Sequence, residues 1–106
     1  MININIIKDL VDWINDNLEQ PLSIKVVASK SGYSQWYLQR LFKSITGNSI
    51  ATYIRTLRLN RAALELKQGR ETITEIACKY QFESHQSFTR AFKKMFSVTP
   101  SDYRRK

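Results

Sequence analysis

Four side chains between Trp36 and Lys43 have types suited to reading nucleic-acid bases, and they recur at helical spacing. In a helix they share one face, at positions i, i+3, i+4 and i+7: Trp36, Gln39, Arg40 and Lys43. The donor fork of arginine matches guanine O6 and N7, and glutamine can pair with adenine N6 and N7. An outward tryptophan exposes a large apolar surface, which indicates a contact surface. The opposite face is predicted to be buried and carries Leu38, Leu41, Phe42 and Ile45.

The same two-sided pattern occurs again fifty residues later in the chain. Its polar stripe is Gln86, Thr89, Arg90 and Lys93, and its apolar stripe is Phe88, Ala91, Phe92 and Met95. A charged helix face is usually only solvated. Because the pattern recurs in one short chain, we favour a functional interpretation of both polar stripes.

Each striped segment follows a short apolar helix and a turn. Ser23 caps the first short helix, Gly32 suits the turn after it, and Ser34 caps the striped segment. A short helix, a turn and a basic helix together outline a helix-turn-helix. The second unit begins with the capping box Thr72-Ile73-Thr74-Glu75, in which Thr72 caps the helix and Glu75 reaches back.

The remaining pattern predicts an all-α fold of about seven helices. The first helix is expected from about Ile4 to Leu18, with a buried stripe from Ile4 to Leu18 and a separate acidic stripe. Pro100 opens a last short helix with Thr99 as its cap. We expect one domain over residues 1–106, made of a lobe at 1–48, a linker helix at 49–69 and a lobe at 70–106.

Charge favours a polyanionic partner. The net charge is +8, and residues 36–106 hold 14 Lys and Arg against 5 Asp and Glu. A concentration of basic residues on particular helices is the footprint of nucleic-acid binding. An anionic membrane surface is the competing partner, but the basic helices also carry the faces needed for the core, so we expect no membrane association.

An enzyme finds no support in these residues. There is one histidine, His85, and one cysteine, Cys78, which we expect to be a small buried thiol. No Cys/His cluster has zinc spacing, and no Gly-rich phosphate loop is present, so no cofactor or metal is expected. A signal peptide and a long apolar run are also missing from the sequence, which predicts a cytoplasmic protein.

Taken together, the chain resembles the AraC/XylS family of bacterial transcription regulators, and within it the small MarA/SoxS/Rob group. The resemblance covers nearly the whole chain and rests on the segments Pro21-Leu22-Ser23, Ser31-Gly32-Tyr33-Ser34, Trp36 to Lys43, Thr46-Gly47, Tyr53-Ile54-Arg55, Ile76-Ala77, Phe88 to Lys93 and Thr99 to Arg104.

The resemblance implies two helix-turn-helix lobes joined by a long helix, binding double-stranded DNA as a monomer and activating promoters for drug efflux, antibiotic resistance and stress defence. RNA polymerase is the implied protein partner. The implied base-reading residues are Trp36, Gln39, Arg40, His85, Gln86, Ser87, Thr89 and Arg90. The expected phosphate contacts are Ser34, Lys43, Arg55, Arg58, Arg61, Ser84, Lys93, Lys94 and Arg104.

Two residues depart from the pattern of this group. Gln81 stands in the second turn, where many members have glycine, so this turn is expected either to be strained by a non-glycine residue at positive φ or to be differently shaped. His85 stands where the group usually has glutamine, and an imidazole lacks the two-point amide geometry. Recognition by the second lobe is therefore expected to differ from the group.

Two functions remain open from the residues themselves. One is a sequence-specific activator on an asymmetric site with two half-sites. The other is an architectural DNA-bending protein with little sequence preference, since charge alone supports both. The linker helix spans roughly 25–29 Å at 1.5 Å per residue. Successive major-groove faces lie about 34 Å apart, so a monomer is expected to bend the duplex toward itself.

Overall fold

The computed structural model describes residues 2–106 and, in that range, contains seven α-helices and no strand. This confirms the all-α prediction. The helices are α1 Ile2–Asp16, α2 Ile24–Ser31, α3 Gln35–Thr46, α4 Ile50–Gln68, α5 Ile73–Lys79, α6 His85–Phe96 and α7 Pro100–Arg105. The chain divides into two compact units, with the boundary inside α4 between Leu57 and Arg58.

The first unit is built around the apolar stripes of α1, α2 and α3, which pack against one another. Ile14, Val27, Leu38 and Phe42 have no measurable solvent exposure. Tyr53, in the first half of α4, meets Phe42 edge-on, with 5.2 Å between the ring centroids. Because Leu38 and Phe42 lie on the same face of α3, their burial fixes the rotation of that helix about its axis.

The second unit has an aromatic core. Phe88 and Phe92 of α6 are fully buried, with ring centroids 5.7 Å apart. Tyr103 of α7 packs edge-on against Phe92 at 5.3 Å, which docks the last helix onto α6. Burying aromatic side chains of this size dominates the energetics of a small core. As in the first unit, the buried face of the basic helix determines which face is left outside.

Polar caps set the start of six helices, including the predicted caps at Ser23, Ser34, Thr72 and Thr99. In each case a Ser or Thr hydroxyl accepts a hydrogen bond from a backbone N–H three residues later, which satisfies a donor that the helix leaves unpaired. The caps are Ser23, Ser34, Ser49, Thr72, Ser84 and Thr99. The predicted capping box between Thr72 and Glu75 is confirmed, and the hydrogen bond from the Thr72 backbone holds the pKa of Glu75 below its ordinary value.

An ion cluster that sequence reasoning missed ties α4 to α5 in the second unit. The Nζ of Lys79 lies 2.6 Å from Oε1 of Glu65 and 2.8 Å from Oε1 of Glu71. These hydrogen bonds raise the pKa of Lys79. Burial opposes ionisation of Glu65, but hydrogen bonds with Lys79, Tyr80 and Glu71 and the charge of Lys79 together outweigh it and leave the pKa of Glu65 lowered. The ionised carboxylate of Glu65 therefore stabilises the fold at pH values above its ordinary pKa of about 4.3. This stabilisation is lost as the pH falls below that value and the carboxylate takes up a proton.

Several apolar residues predicted to be buried are exposed. Ile45 and Met95, at matching positions near the ends of α3 and α6, are 37% and 39% exposed, and Ile4 is 53% exposed. Periodicity identifies a stripe, but a helix buries only the part of the stripe that another element covers. Cys78 is also exposed rather than buried, since the buried face of α5 is formed by Ile76 and Ala77.

Two non-glycine residues adopt the left-handed conformation at φ 68°: Gln81 and Ser97. Of the two outcomes expected for the second turn, the structure has a non-glycine residue at positive φ, Gln81. Ser97 was not foreseen, and it ends α6 where Gly47, fifty residues earlier, ends α3 at φ 82°. A side chain with a Cβ is strained in this conformation, whereas glycine is not.

This difference between the two helix ends predicts opposite effects of two matched substitutions. Ser97→Gly should raise the free energy of unfolding by about 1 kcal/mol, and Gly47→Ser should lower it by about the same amount. Urea unfolding followed by circular dichroism measures both. Ser44→Gly, inside α3, is the control and should destabilise because glycine is a poor helix former. A loss of stability in Ser97→Gly would show that the hydroxyl of Ser97 makes a stabilising contact.

Candidate nucleic-acid interface

The polar stripe of α3 lies outward because its apolar stripe is buried. Trp36, Gln39, Arg40 and Lys43 are all exposed, and Trp36 is 65% exposed. The guanidinium of Arg40 lies over the indole of Trp36, 4.7 Å from the ring centroid. A cation over a tryptophan face is held by the ring quadrupole. The indole of Trp36 therefore favours this position of the Arg40 guanidinium on the helix surface.

The second polar stripe is likewise outward on α6. His85, Gln86, Arg90, Lys93 and Lys94 are exposed. Ser87 and Thr89 are half-buried, so less of each side chain is offered to a ligand. These residues share a helix whose start is fixed by a capping box between Ser84 and Ser87. The capping box therefore fixes where the polar stripe begins along the chain.

The imidazole of His85 is tied to the preceding helix. Its Nδ1 lies 3.1 Å from Oγ1 of Thr74 on α5. His85 is the first residue of α6, so this contact crosses the turn of the second helix-turn-helix. Nothing in the sequence pattern marks Thr74 as its partner, because the two residues are eleven positions apart on different helices.

Each stripe borders an open cavity within its own unit. Gln39, Arg40 and Lys43 line a cavity of about 660 Å³ together with residues that include Ile50 and Ile54. A second cavity, of about 500 Å³, is lined by His85, Gln86, Thr89 and Arg90. Both stripes are thus accessible to a large ligand.

The serines predicted to contact phosphate are helix caps. The hydroxyl of Ser34 accepts from the backbone N–H of Tyr37, and that of Ser84 accepts from the N–H of Ser87. The hydroxyl of Ser87 in turn accepts from the N–H of Ser84. Since a serine oxygen can accept while its hydrogen donates, the predicted phosphate contacts of Ser34 and Ser84 stay predictions. The hydroxyl of Ser87 already donates to the carbonyl of Ser84 at 3.0 Å, so its predicted base contact would have to replace or share that hydrogen bond.

The predicted phosphate-binding arginines lie in different environments. Arg55 is exposed, while Arg58 and Arg61 are half-buried, and burial lowers the pKa of Arg58. Arg104 has a structural role that the sequence did not indicate. Its Nε donates to the carbonyl of Leu66 at 2.9 Å, and a terminal guanidinium nitrogen donates to that of Glu71 at 2.6 Å. Its phosphate contact remains a prediction.

No group of His, Cys, Asp and Glu side chains in residues 2–106 could hold a metal ion. None of the helices described is both long and apolar enough to cross a membrane.

Comparison with known proteins gives a consistent family. Residues 22–106 match a family model described as a helix-turn-helix domain. The chain is 58% identical over 100 residues to the transposon Tn10 TetD protein of Escherichia coli, covering 94% of this chain and 72% of TetD. It is 50% identical over 99 residues to the regulatory protein SoxS of Escherichia coli K12, covering 93% of this chain and 92% of SoxS.

A longer relative and a solved structure agree. The chain is 53% identical over 100 residues to the transcriptional regulator Rob of Salmonella typhimurium, covering 94% of this chain but only 35% of Rob. The solved structure is a transcriptional regulator from Chromobacterium violaceum with an AraC-type DNA-binding domain. It matches with a TM-score of 0.89 and 33% identity, over 95% of this chain and 90% of that one. The chain therefore belongs to the AraC-type family of helix-turn-helix transcription regulators, which bind DNA and are not enzymes, and falls in the group of SoxS and Rob.

Proposed function

We propose that this protein is a sequence-specific transcription activator that binds an asymmetric DNA site of two half-sites as a monomer. The observation that carries the proposal is the pair of exposed polar stripes, one on α3 and one on α6, each on a helix whose opposite face is buried. A helix with that division can enter the major groove with its polar side chains toward the base edges.

The two stripes differ in chemistry, which supports asymmetry. The first combines Trp36, Gln39 and Arg40, while the matching positions on α6 are Gln86, Thr89 and Arg90. Both can read guanine through arginine, but only the first offers an aromatic face for a thymine methyl group. Operator palindromy mirrors two-fold protein symmetry, and two unlike recognition helices in one chain have none.

The promoter class and the protein partner are part of this proposal. As the resemblance to the MarA/SoxS/Rob group implies, we propose that the protein acts in the cytoplasm on promoters of stress and antibiotic-resistance genes. Because the chain is not an enzyme, activation requires a protein partner, and RNA polymerase is the partner we propose.

The first prediction separates a regulator from an architectural DNA-bending protein. Random-duplex selection followed by titration should give a specific affinity about 10³-fold or more above the non-specific affinity. Arg40→Ala should relax base preference at one end of the selected site by about 1–3 kcal/mol, and Arg90→Ala should do the same at the other end. Light scattering should show one chain per duplex.

Lys8→Ala, on the acidic first helix, is the matched control and should leave both preferences intact. Two chains on a palindrome, or both arginine variants relaxing the same base pairs, would contradict the monomeric two-site arrangement. A specific affinity close to the non-specific one would instead favour the architectural function.

The second prediction concerns the phosphate contacts. Affinity should fall steeply with salt, since each neutralised phosphate adds about −0.9 to the slope of log K against log[salt]. Lys93→Ala should make that slope about 1 unit shallower and weaken binding to all sequences alike. Titrations at several salt concentrations measure this, with Lys8→Ala again as control. A nearly flat line for the natural chain would rule out duplex DNA as the main partner.

The third prediction tests whether Trp36 holds Arg40 for base recognition. Trp36→Leu keeps an apolar side chain but removes the ring under the guanidinium. A double-mutant cycle with Arg40→Ala should therefore show a coupling of about 0.5–1 kcal/mol in DNA binding. Trp36→Phe should retain part of it. Fully additive effects of the two substitutions would mean that the stacking seen in the free protein has no role in the complex.

A further inference from the structure

The contact between Thr74 and His85 joins α5 to α6, the helix that carries the second polar stripe. Thr74 belongs to the short helix α5, whereas His85 opens α6, the second polar-striped helix. Both side chains are exposed, and the Oγ1 to Nδ1 distance is 3.1 Å. An exposed imidazole would otherwise rotate about two side-chain torsions, and a hydrogen bond to a neighbouring helix restricts that rotation.

The contact also gives the two ring nitrogens of His85 different partners. A neutral imidazole has one donor nitrogen and one acceptor nitrogen. Because Nδ1 is occupied by Thr74, Nε2 is the nitrogen that remains for a base. The side chain lines the same cavity as Gln86, Thr89 and Arg90, so a ligand in that cavity meets the imidazole among base-reading groups.

The surroundings favour one of the two tautomers. Nδ1 is the ring nitrogen nearer the backbone, and His85 is the first residue of α6. The amino end of a helix carries partial positive charge, which favours a lone pair over an N–H nearby. A threonine hydroxyl can donate to such a lone pair. When the hydroxyl donates in this way, Nδ1 is the acceptor and the proton of the neutral ring lies on Nε2.

The first lobe has no equivalent of this pair at the matching positions. Ser23 aligns with Thr72 at a spacing of forty-nine, which places Lys25 opposite Thr74. Ser34 aligns with Ser84 at a spacing of fifty, which places Gln35 opposite His85. The hydroxyl–imidazole contact is therefore particular to the second lobe.

We propose that Thr74 is a specificity-determining positioning residue for the second recognition helix. It holds His85 so that Nε2–H points a single donor at a base edge. A single donor suits the acceptors of guanine, adenine N7 or thymine O4, and it is mismatched with the amino group of cytosine. This inference rests on the proposed function, because it requires that α6 reads bases.

The first experiment needs no DNA. His85 is the only histidine of the chain, so its ring nitrogens give unambiguous signals in ¹⁵N-correlated NMR spectra. At about pH 8, where an ordinary imidazole is neutral, we expect a protonated Nε2 and an unprotonated Nδ1. Thr74→Val should shift the ring signals toward a mixture of tautomers, and Thr74→Ser should restore them. A protonated Nδ1 in the natural chain, or ring signals unchanged in Thr74→Val, would overturn the proposal.

The second experiment measures base preference at the base pair where His85→Ala reduces that preference most without abolishing it. Duplexes with each of the four base pairs at that position are titrated with the full chain. Thr74→Val should reduce discrimination against cytosine by roughly 3- to 10-fold, which is the effect of losing one net hydrogen bond. Discrimination at the base pair that depends on Arg40 is the internal control and should not change. Thr74→Ser should recover most of the loss.

The outcomes separate positioning from a purely structural role. If Thr74 only stabilises the packing of α5 against α6, Thr74→Val should weaken binding to all four duplexes equally. That result would overturn the proposal. It also fails if Thr74→Val still weakens discrimination in a His85→Ala background, or if His85→Ala changes no base preference. If the natural chain shows no base preference at any position of the duplex, the proposed function fails, and this inference fails with it. The NMR experiment tests separately whether the contact between Thr74 and His85 exists.

Discussion

The burial of one phenylalanine in each basic helix is the constraint on which the rest of the structure depends. Phe42 and Phe92 are completely buried at matching positions of α3 and α6. Because side chains three and four residues apart share a helix face, fixing one phenylalanine inward fixes the outward positions as well. Arg40 and Arg90 lie two residues before their phenylalanines, about 200° away around the helix. The packing of the buried face of each helix thus determines which side chains form the outward polar stripe.

Much of this could be predicted from the sequence because it depends on local chemistry. The bounds of α4 and the caps at Ser34, Thr72 and Thr99 follow from rules that involve only a few neighbouring residues. The exposed ends of the stripes at Ile45 and Met95 could not be predicted in that way. Their burial depends on whether another element reaches the last turn, and periodicity does not contain that information.

Side-chain contacts between distant positions were also beyond sequence reasoning. Arg104 looks like a phosphate-binding residue in a basic tail, yet its guanidinium donates to the carbonyls of Leu66 and Glu71. Fifty residues earlier the matching residue is Ile54, which is buried beside the first cavity. An isoleucine cannot satisfy a carbonyl, whereas a guanidinium can satisfy two. The two lobes therefore share an arrangement of helices but stabilise matching positions with different side-chain interactions.

The same divergence reaches the side chains that face outward. In the first lobe an arginine is held by an aromatic ring on its own helix, and in the second a histidine is held by a hydroxyl on the preceding helix. Both arrangements restrict a side chain before a ligand arrives. A restricted side chain loses less conformational entropy on binding, so more of its contact energy is available for discrimination between ligands. Duplicated helices of this kind can keep one fold through their buried faces while their outward contacts evolve separately, since no outward contact is needed to keep Phe42 or Phe92 inside.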